Sequence, residues 1–242
     1  LVGAYKGYVS SNRLYSWSDV TPTTNVSLSD FRRYAKARGT GFQVIDFQQH
    51  CVIAMMLYAK YKTRNLQGVL GPGGAGSSPA TTTGSSNATG GADTKNESSK
   101  YVCGLGLEGV FGGICEWVEG VEINNRVWKI TDPDGSTRNV NAETFSGWII
   151  NIAAENGPFF DVVPTQVGGS DSTHYSDYYS RTSDSSLVLA RSGYRSYPTG
   201  GVAYTDAAYD ASDMDSSYGS RLAFHGTISE LAPRQFKRLP VL

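Results

Sequence analysis

Asparagine occurs eleven times up to Asn156 and not once afterwards, and lysine occurs seven times up to Lys129 and returns only at Lys237. Positions 157–236 therefore hold neither residue. A globular domain has no physical reason to exclude both. Other absences bound the function. No apolar run approaches the ~18 residues that a membrane span needs. The net charge is −1, so there is no electrostatic footprint for nucleic acid or an anionic membrane. The three cysteines, Cys51, Cys103 and Cys115, are odd in number and form no CxxC pair, which argues against a disulfide framework or a zinc site. Cys51 reads as a core residue. The start, Leu1-Val-Gly-Ala-Tyr-Lys, lacks the charged-then-apolar layout of a secretory leader and reads as the start of a strand, so a longer parent chain is expected.

What fills the gap is tyrosine. Between Gly168 and Gly219 lie eight of the fifteen tyrosines, set among Ser, Asp, Gly, Thr and Ala. This is the composition of a paratope. Tyrosine offers large amphipathic contact area at low entropic cost, and the small polar residues offer adaptable hydrogen bonds. The segment holds seven Asp against three Arg, which argues against phosphate-rich partners and leaves proteins and glycans open.

The 242 residues, 39% of them hydrophobic, suffice for one domain with an insertion. Residues 1–20 read as two strands, Val2–Val9 and Arg13–Trp17, around a Ser-Ser-Asn turn. Ser27-Leu-Ser-Asp30 resembles a capping box ahead of a helix that Gly39 would end. Asp46 is the N-cap of a second helix running to about Lys62, with Phe47, Cys51, Ala54, Met55 and Tyr58 on one face. The Met55-Met56 pair is expected in the core. Residues 71–99 are Gly, Ser, Thr, Ala and Asn with almost no apolar group, so a mobile loop inserted in one domain is expected in preference to an interdomain linker. Strands and turns follow, with turn signals at Asn124-Asn125 and Asp132-Pro-Asp-Gly135. Trp117, Trp128 and Trp148 are expected as core anchors. Leu187–Arg191 and Arg221–Phe224 read as buried strands, and the aromatic, aperiodic run between them reads as functional loop.

Four elements in order carry a family resemblance: Glu116-Trp117-Val118 after a Gly pair, Leu187–Arg191 with Ser192-Gly193, Gly201-Val-Ala-Tyr204, and Gly219-Ser-Arg-Leu222. They resemble the successive motifs of C-type-lectin-like domains of the formylglycine-generating-enzyme-like branch. The order, with a tyrosine-rich loop set before the Gly-x-Arg-Leu strand, is similar to variable proteins of diversity-generating retroelements. Tyr5-Lys-Gly-Tyr8, Thr21-Pro-Thr-Thr-Asn25-Val-Ser and Ala37-Arg-Gly-Thr-Gly41-Phe-Gln resemble the openings of tail-associated proteins from gut phages and prophages. The resemblance spans most of the chain outside 71–99. It implies a single α+β domain of C-type-lectin-like fold, with two helices packed on short twisted antiparallel strands and long ligand-presenting loops. It also implies an account of the gap. In that family, retroelement copying replaces template adenines, mostly in Asn codons, and Asn and Lys codons both begin with two adenines.

By spacing against the Gly-Val-x-Tyr and Gly-x-Arg-Leu landmarks, three groups of diversified, ligand-binding positions are expected. The first is His174, Tyr175, Asp177, Tyr178 and Tyr179. The second is Tyr194, Ser196, Tyr197 and Thr199. The third is Asp206, Ala208, Tyr209, Asp213, Asp215 and Ser217. Val202, Tyr204, Ala207, Ala211, Gly219, Arg221 and Leu222 are expected as scaffold, Tyr204 and Tyr218 as core tyrosines, and Arg191 and Arg221 as residues that fix loops by hydrogen bonds.

Catalysis is not expected. No cysteine follows Cys115, so the cysteine-pair chemistry of the fold relative lacks support. His50, His174 and His225 are scattered without facial-triad spacing. No His and acid accompany the Ser-Asp-Ser runs as a triad would require. Calcium-binding lectin motifs are missing, and Asp210, Asp213 and Asp215 lack the Gly and terminal Glu of an EF-hand, so neither metal nor cofactor is expected. The implied role is non-covalent recognition of a host cell-surface protein or glycan, with no nucleic acid and no membrane insertion. The setting would be a phage tail in the virion, as a homotrimer by analogy with fibres, or alternatively a bacterial surface adhesin.

Overall fold

The computed structural model describes residues 1–73, 81–93, 101–193 and 200–227. The chain opens with a hairpin of β1 (Tyr8–Ser10) and β2 (Arg13–Tyr15). Its two loop residues, Ser11 and Asn12, have φ of 48° and 58°. Positive φ at both positions matches the twist of the paired strands. Helix α1 (Leu28–Lys36) starts where the Ser27 hydroxyl accepts from the Asp30 amide, and it ends at Ala37, two residues before the expected Gly39. The Asp30 carboxylate pairs with Arg33 at 2.6 Å. Strand β3 (Phe42–Val44) leads into α2 (Phe47–Tyr61), where the Asp46 and Gln49 side chains each satisfy the other's backbone amide. Lys62 closes α2 in the left-handed conformation, and the one-turn α3 (Leu66–Leu70) follows.

Twelve strands follow among the described residues. In order these are β4 (Cys103–Gly104), β5 (Leu107–Glu108), β6 (Cys115–Asn124), β7 (Val127–Thr131), β8 (Thr137–Asn141), β9 (Gly147–Ile152), β10 (Pro164–Val167), β11 (Tyr178–Arg181), β12 (Leu187–Arg191), β13 (Thr205–Asp210), β14 (Tyr218–Gly219) and β15 (Leu222–Phe224). The β6–β7 turn falls at Asn125, with φ 55°. The Asp132–Gly135 turn closes with Gly135 donating to the Asp132 carbonyl at 2.8 Å.

The expected α+β arrangement of C-type-lectin-like type is overturned. Among the described residues nine strands form one sheet in the order β10-β9-β11-β13-β12-β6-β7-β8, with β14 added beside β6, and three short α-helices accompany it. The ten-residue β6 is the reason: it pairs with β12 along one side and with β7 along the other, so the middle hairpins extend the same sheet as the late strands. Nor is the sheet purely antiparallel, since β11 runs parallel to β13 and β14 parallel to β6. Ring contacts of α2 reach one face, where Phe47 meets Trp128 edge-on at 6.3 Å. Against the other face Trp117 donates to the Val26 carbonyl, just before α1, at 3.1 Å.

Two further expectations change. Met55 and Met56 are 40% and 48% exposed, while α2 buries Phe47, His50, Cys51, Ile53, Ala54 and Leu57 instead. Residues 81–93, within the expected mobile loop, are held by a carboxylate. Buried Glu108 accepts from the Gly84 amide at 2.8 Å and from both the amide and hydroxyl of Ser86 at 2.7 Å. Asp93 ties the far end of this stretch to Lys60 at 2.6 Å and to the Leu105 amide at 3.0 Å. Residues 74–80 and 94–100 lie outside the described residues.

The sheet is joined to both ends of the chain by buried charge. Glu116 of β6, 1% exposed, receives Lys6 at 3.1 Å and the Arg221 guanidinium at 2.9 Å, and the His50 Nε2 lies 3.3 Å away. Burial alone would raise the Glu116 carboxyl, but Arg221 and Lys6 outweigh it and hold it well below the usual carboxylate range. Burial lowers both His50 and Lys6, against the pull of Glu116. Arg221 also donates to the carbonyls of Gly3, Ala4, Glu108 and Gly109.

Removing one partner of such a cluster leaves the rest buried and unpaired, so Glu116→Ala should lower stability by about 3–5 kcal/mol in denaturant unfolding. The pH dependence has a defined sign. His50 resists protonation in the fold, whereas in the unfolded chain it takes a proton near pH ~6.5, so its contribution is lost as pH falls through that value. The loss of Tm between about pH 7 and pH 5 should therefore be smaller in His50→Gln than in the wild type; equal losses would count against this assignment.

Candidate functional site

Strand register gathers the tyrosine-rich segments at one end of the sheet. Tyr179 of β11 and Arg191 of β12 both align with Thr205 of β13, Arg191 aligns with Glu116 of β6, and Tyr218 of β14 aligns with Cys115. The chain therefore enters β11, leaves β12, enters β13 and enters β14 at the same end. Residues 168–177, 192–193 and 200–204 and the close of loop 211–217 meet there.

A buried clasp joins two of these loops. Asp177, 2% exposed, accepts from the Gly201 amide at 2.7 Å, the Ala203 amide at 2.8 Å and the Gln67 side chain at 2.8 Å. Only glycine fits at 201, because a Cβ there would lie 2.2 Å from the Asp177 Oδ1. Burial raises the Asp177 carboxyl to about 7, although its three donors favour the ionised form. Arg191, 1% exposed, donates to the Thr205 hydroxyl at 2.8 Å and to the Val162 carbonyl, with Phe47 and Trp128 rings 5.4 and 5.8 Å from its guanidinium carbon. Arg191 and Arg221 thus fix backbone from within.

The expected ligand-binding positions divide by burial. In the first group, His174 is exposed at φ 54°, on a turn in which the Ser170 amide donates to the Thr173 hydroxyl at 2.8 Å. Tyr178 is half-buried and meets Trp148 edge-on at 5.7 Å. Trp148 is itself half-buried, less enclosed than the expected core anchor. Tyr175, Asp177 and Tyr179 turn inward. Tyr175 donates to Glu155 at 2.7 Å and packs on Tyr58, and Tyr179 is 0% exposed beside Trp128. The second group, Tyr194, Ser196, Tyr197 and Thr199, lies outside the described residues.

In the third group, Asp206 is buried and accepts from the Tyr218 and Tyr204 hydroxyls, and burial raises its carboxyl. Tyr218 stacks on Trp117 at 4.7 Å, and half-buried Tyr209 meets both rings. Ala208 is half-buried beside it. Asp213 and Asp215 are half-buried and cap their own turns, accepting from the Asp210 and Ser217 amides at 2.8 and 2.6 Å. Ser217 is buried, its carbonyl accepting from the Cys115 amide at 2.8 Å. Asp210 and Asp213 lie toward the opposite end of the sheet, because β13 runs away from the gathered loops.

Among the described residues no group of three His, Cys, Asp or Glu could hold a metal ion. Burial raises all three thiols, Cys51 to about 12, and none is poised as a thiolate nucleophile at neutral pH. What the gathered loops offer is shape and hydrogen bonding over a fixed frame. Sequence reasoning missed the Asp177 clasp and the Glu116 cluster. Glu116 did carry a signal, a lone acid inside the apolar run Ile114-Cys-Glu-Trp-Val118. No protein-family model matches the chain, and no curated protein matches it in sequence.

The frame and the surface should respond differently to substitution. Tyr179→Ala should cost about 3–5 kcal/mol, as large aromatic truncations in cores do. His174→Ala should stay within about 0.5 kcal/mol of wild type by the same unfolding measurement.

Proposed function

We propose that this chain is a non-catalytic recognition protein, and that its binding surface is the sheet end where the tyrosine-rich loops meet. One observation carries the reading: the Asn- and Lys-free interval 157–236 contains the loop segments that strand register brings together there. Retroelement copying of adenine-rich codons accounts for that interval, and the buried clasps at Asp177, Arg191 and Arg221 leave exposed side chains free to change. His174, Tyr178 and the 194–199 segment are the positions at which the binding specificity would be set. Tyr175, Asp177, Tyr179, Asp206 and Ser217 belong, by their burial, to the frame. The partner class is a cell-surface protein or glycan, with the protein acting in host attachment from a phage tail. Display on a bacterial surface would use the same site, and tail genes beside this gene separate the first setting from the second.

The locus tests the reading. A near-repeat of codons 168–224, mismatched only at template adenines and lying beside a reverse transcriptase gene, is expected. Its absence would remove diversification as the account of the gap. Natural variants of the chain should then differ at His174 and Tyr178 and keep Asp177, Arg191 and Arg221; variants that change the buried set as freely as the exposed set would contradict the surface assignment.

A further inference from the structure

We propose that α2 carries a homotypic interface, through which two copies of this chain pair antiparallel about a two-fold axis near Met55. This goes beyond recognition at the sheet end and does not depend on it. The inward side of α2 is occupied by Phe47, Cys51, Ala54 and Leu57. Its outward side is apolar too. Val52, Met55 and Met56 are 47%, 40% and 48% exposed, and Ala59 is exposed one turn on. Spacings of three, four and seven residues place these four on one stripe. A helix that is apolar all round is normally covered all round. Among the described residues the body of the protein covers only half of it.

Charge selects the occupant. The stripe itself carries none, but its ends differ in sign. At the N-terminal end Gln48 donates to Asp132 at 2.5 Å and lines a depression with Asp132, Asp134, Arg138 and Phe159; Arg138 pairs with Asp132 at 3.2 Å, so the acid there without an ion pair among the described residues is Asp134. At the C-terminal end stand Lys60, held by Asp93 at 2.6 Å, and exposed Lys62. Gln48 and Lys62 are each seven residues from Met55, about 10 Å along the helix. An antiparallel pair centred on Met55 therefore sets Lys62 of each copy against the acidic end of the other, twice by symmetry. A parallel pair would set like charges together. Phe159, 53% exposed, extends the apolar contact at both ends. One patch supplies both halves of the interface, as a two-fold contact requires.

Sedimentation of the full chain is expected to give a dimer. Met56→Glu should weaken it at least about tenfold while leaving the circular dichroism unchanged, because the side chain is outside the core. Phe145→Asp, also exposed but away from α2, should leave the dimer intact. Lys62→Glu should weaken it, and adding Asp134→Lys should restore it, which only the antiparallel arrangement explains. A wild-type chain that is monomeric at about 100 μM overturns the proposal. So does a trimer, an oligomer indifferent to Met56→Glu, or a charge swap that fails to restore pairing.

Discussion

A buried carboxylate, Glu116, is the point on which the rest of the structure depends. Placing a charge in the interior is costly unless it is paired and its remaining lone pairs are used. Here the pairing draws in groups distant in sequence: Lys6 from the start of the chain, His50 from α2 and Arg221 from just before β15. Arg221 in turn carries its remaining protons to carbonyls at residues 3, 4, 108 and 109. The sheet, the first helix layer and both ends of the described chain are therefore bound to one ion. Hydrophobic burial supplies the driving force, but it is indifferent to register. The cluster specifies which segments meet, since any other arrangement strands at least one buried charge.

The same logic repeats at smaller scale under the loops. Asp177 fixes the 201–203 backbone, Glu108 fixes 84–86, and Arg191 fixes carbonyls beneath the sheet end. In each case a buried side chain satisfies backbone groups that a surface loop would otherwise leave to solvent. Loop conformation then rests on residues that face inward. Side chains facing outward carry little of the stability, and their identity can be set by what they must touch.

Local chemistry was legible in the sequence, and long-range pairing was not. Asp46 and Gln49, Ser11-Asn12 and Asp132–Gly135 announce their helix start and turns because the responsible bonds lie within three residues. Arg191 and Arg221 were legible as anchors because a cation inside an apolar run must find acceptors. That β6 would bind β12 and β7 into a single sheet was hidden, since each strand reads the same whichever neighbour it takes. Tyrosine misleads for a related reason. Tyr218 hydrogen-bonds and stacks inside and Tyr179 packs beside Trp128, whereas Tyr178 lies half-open, and nothing in the residue type separates them. Met55 and Met56 were misplaced because α2 is apolar on every side, so periodicity could not say which face turns inward.

The closure of the chain on itself has a kinetic consequence. Val2 bridges to Ala223, the Gly3 amide donates to the Leu222 carbonyl at 2.8 Å, and β3 takes β15 as its only ladder partner among the described residues. Contacts separated by nearly the whole chain form late, because their loop-closure entropy is offset only when the intervening core is in place. During synthesis the strand segments near Val2 and Glu116 must wait until Arg221 and Ala223 have been translated. A product truncated before Arg221 would leave a buried acid half-paired. Such a product is open to proteolysis, so the fold itself selects for an intact reading frame through its late, tyrosine-rich codons.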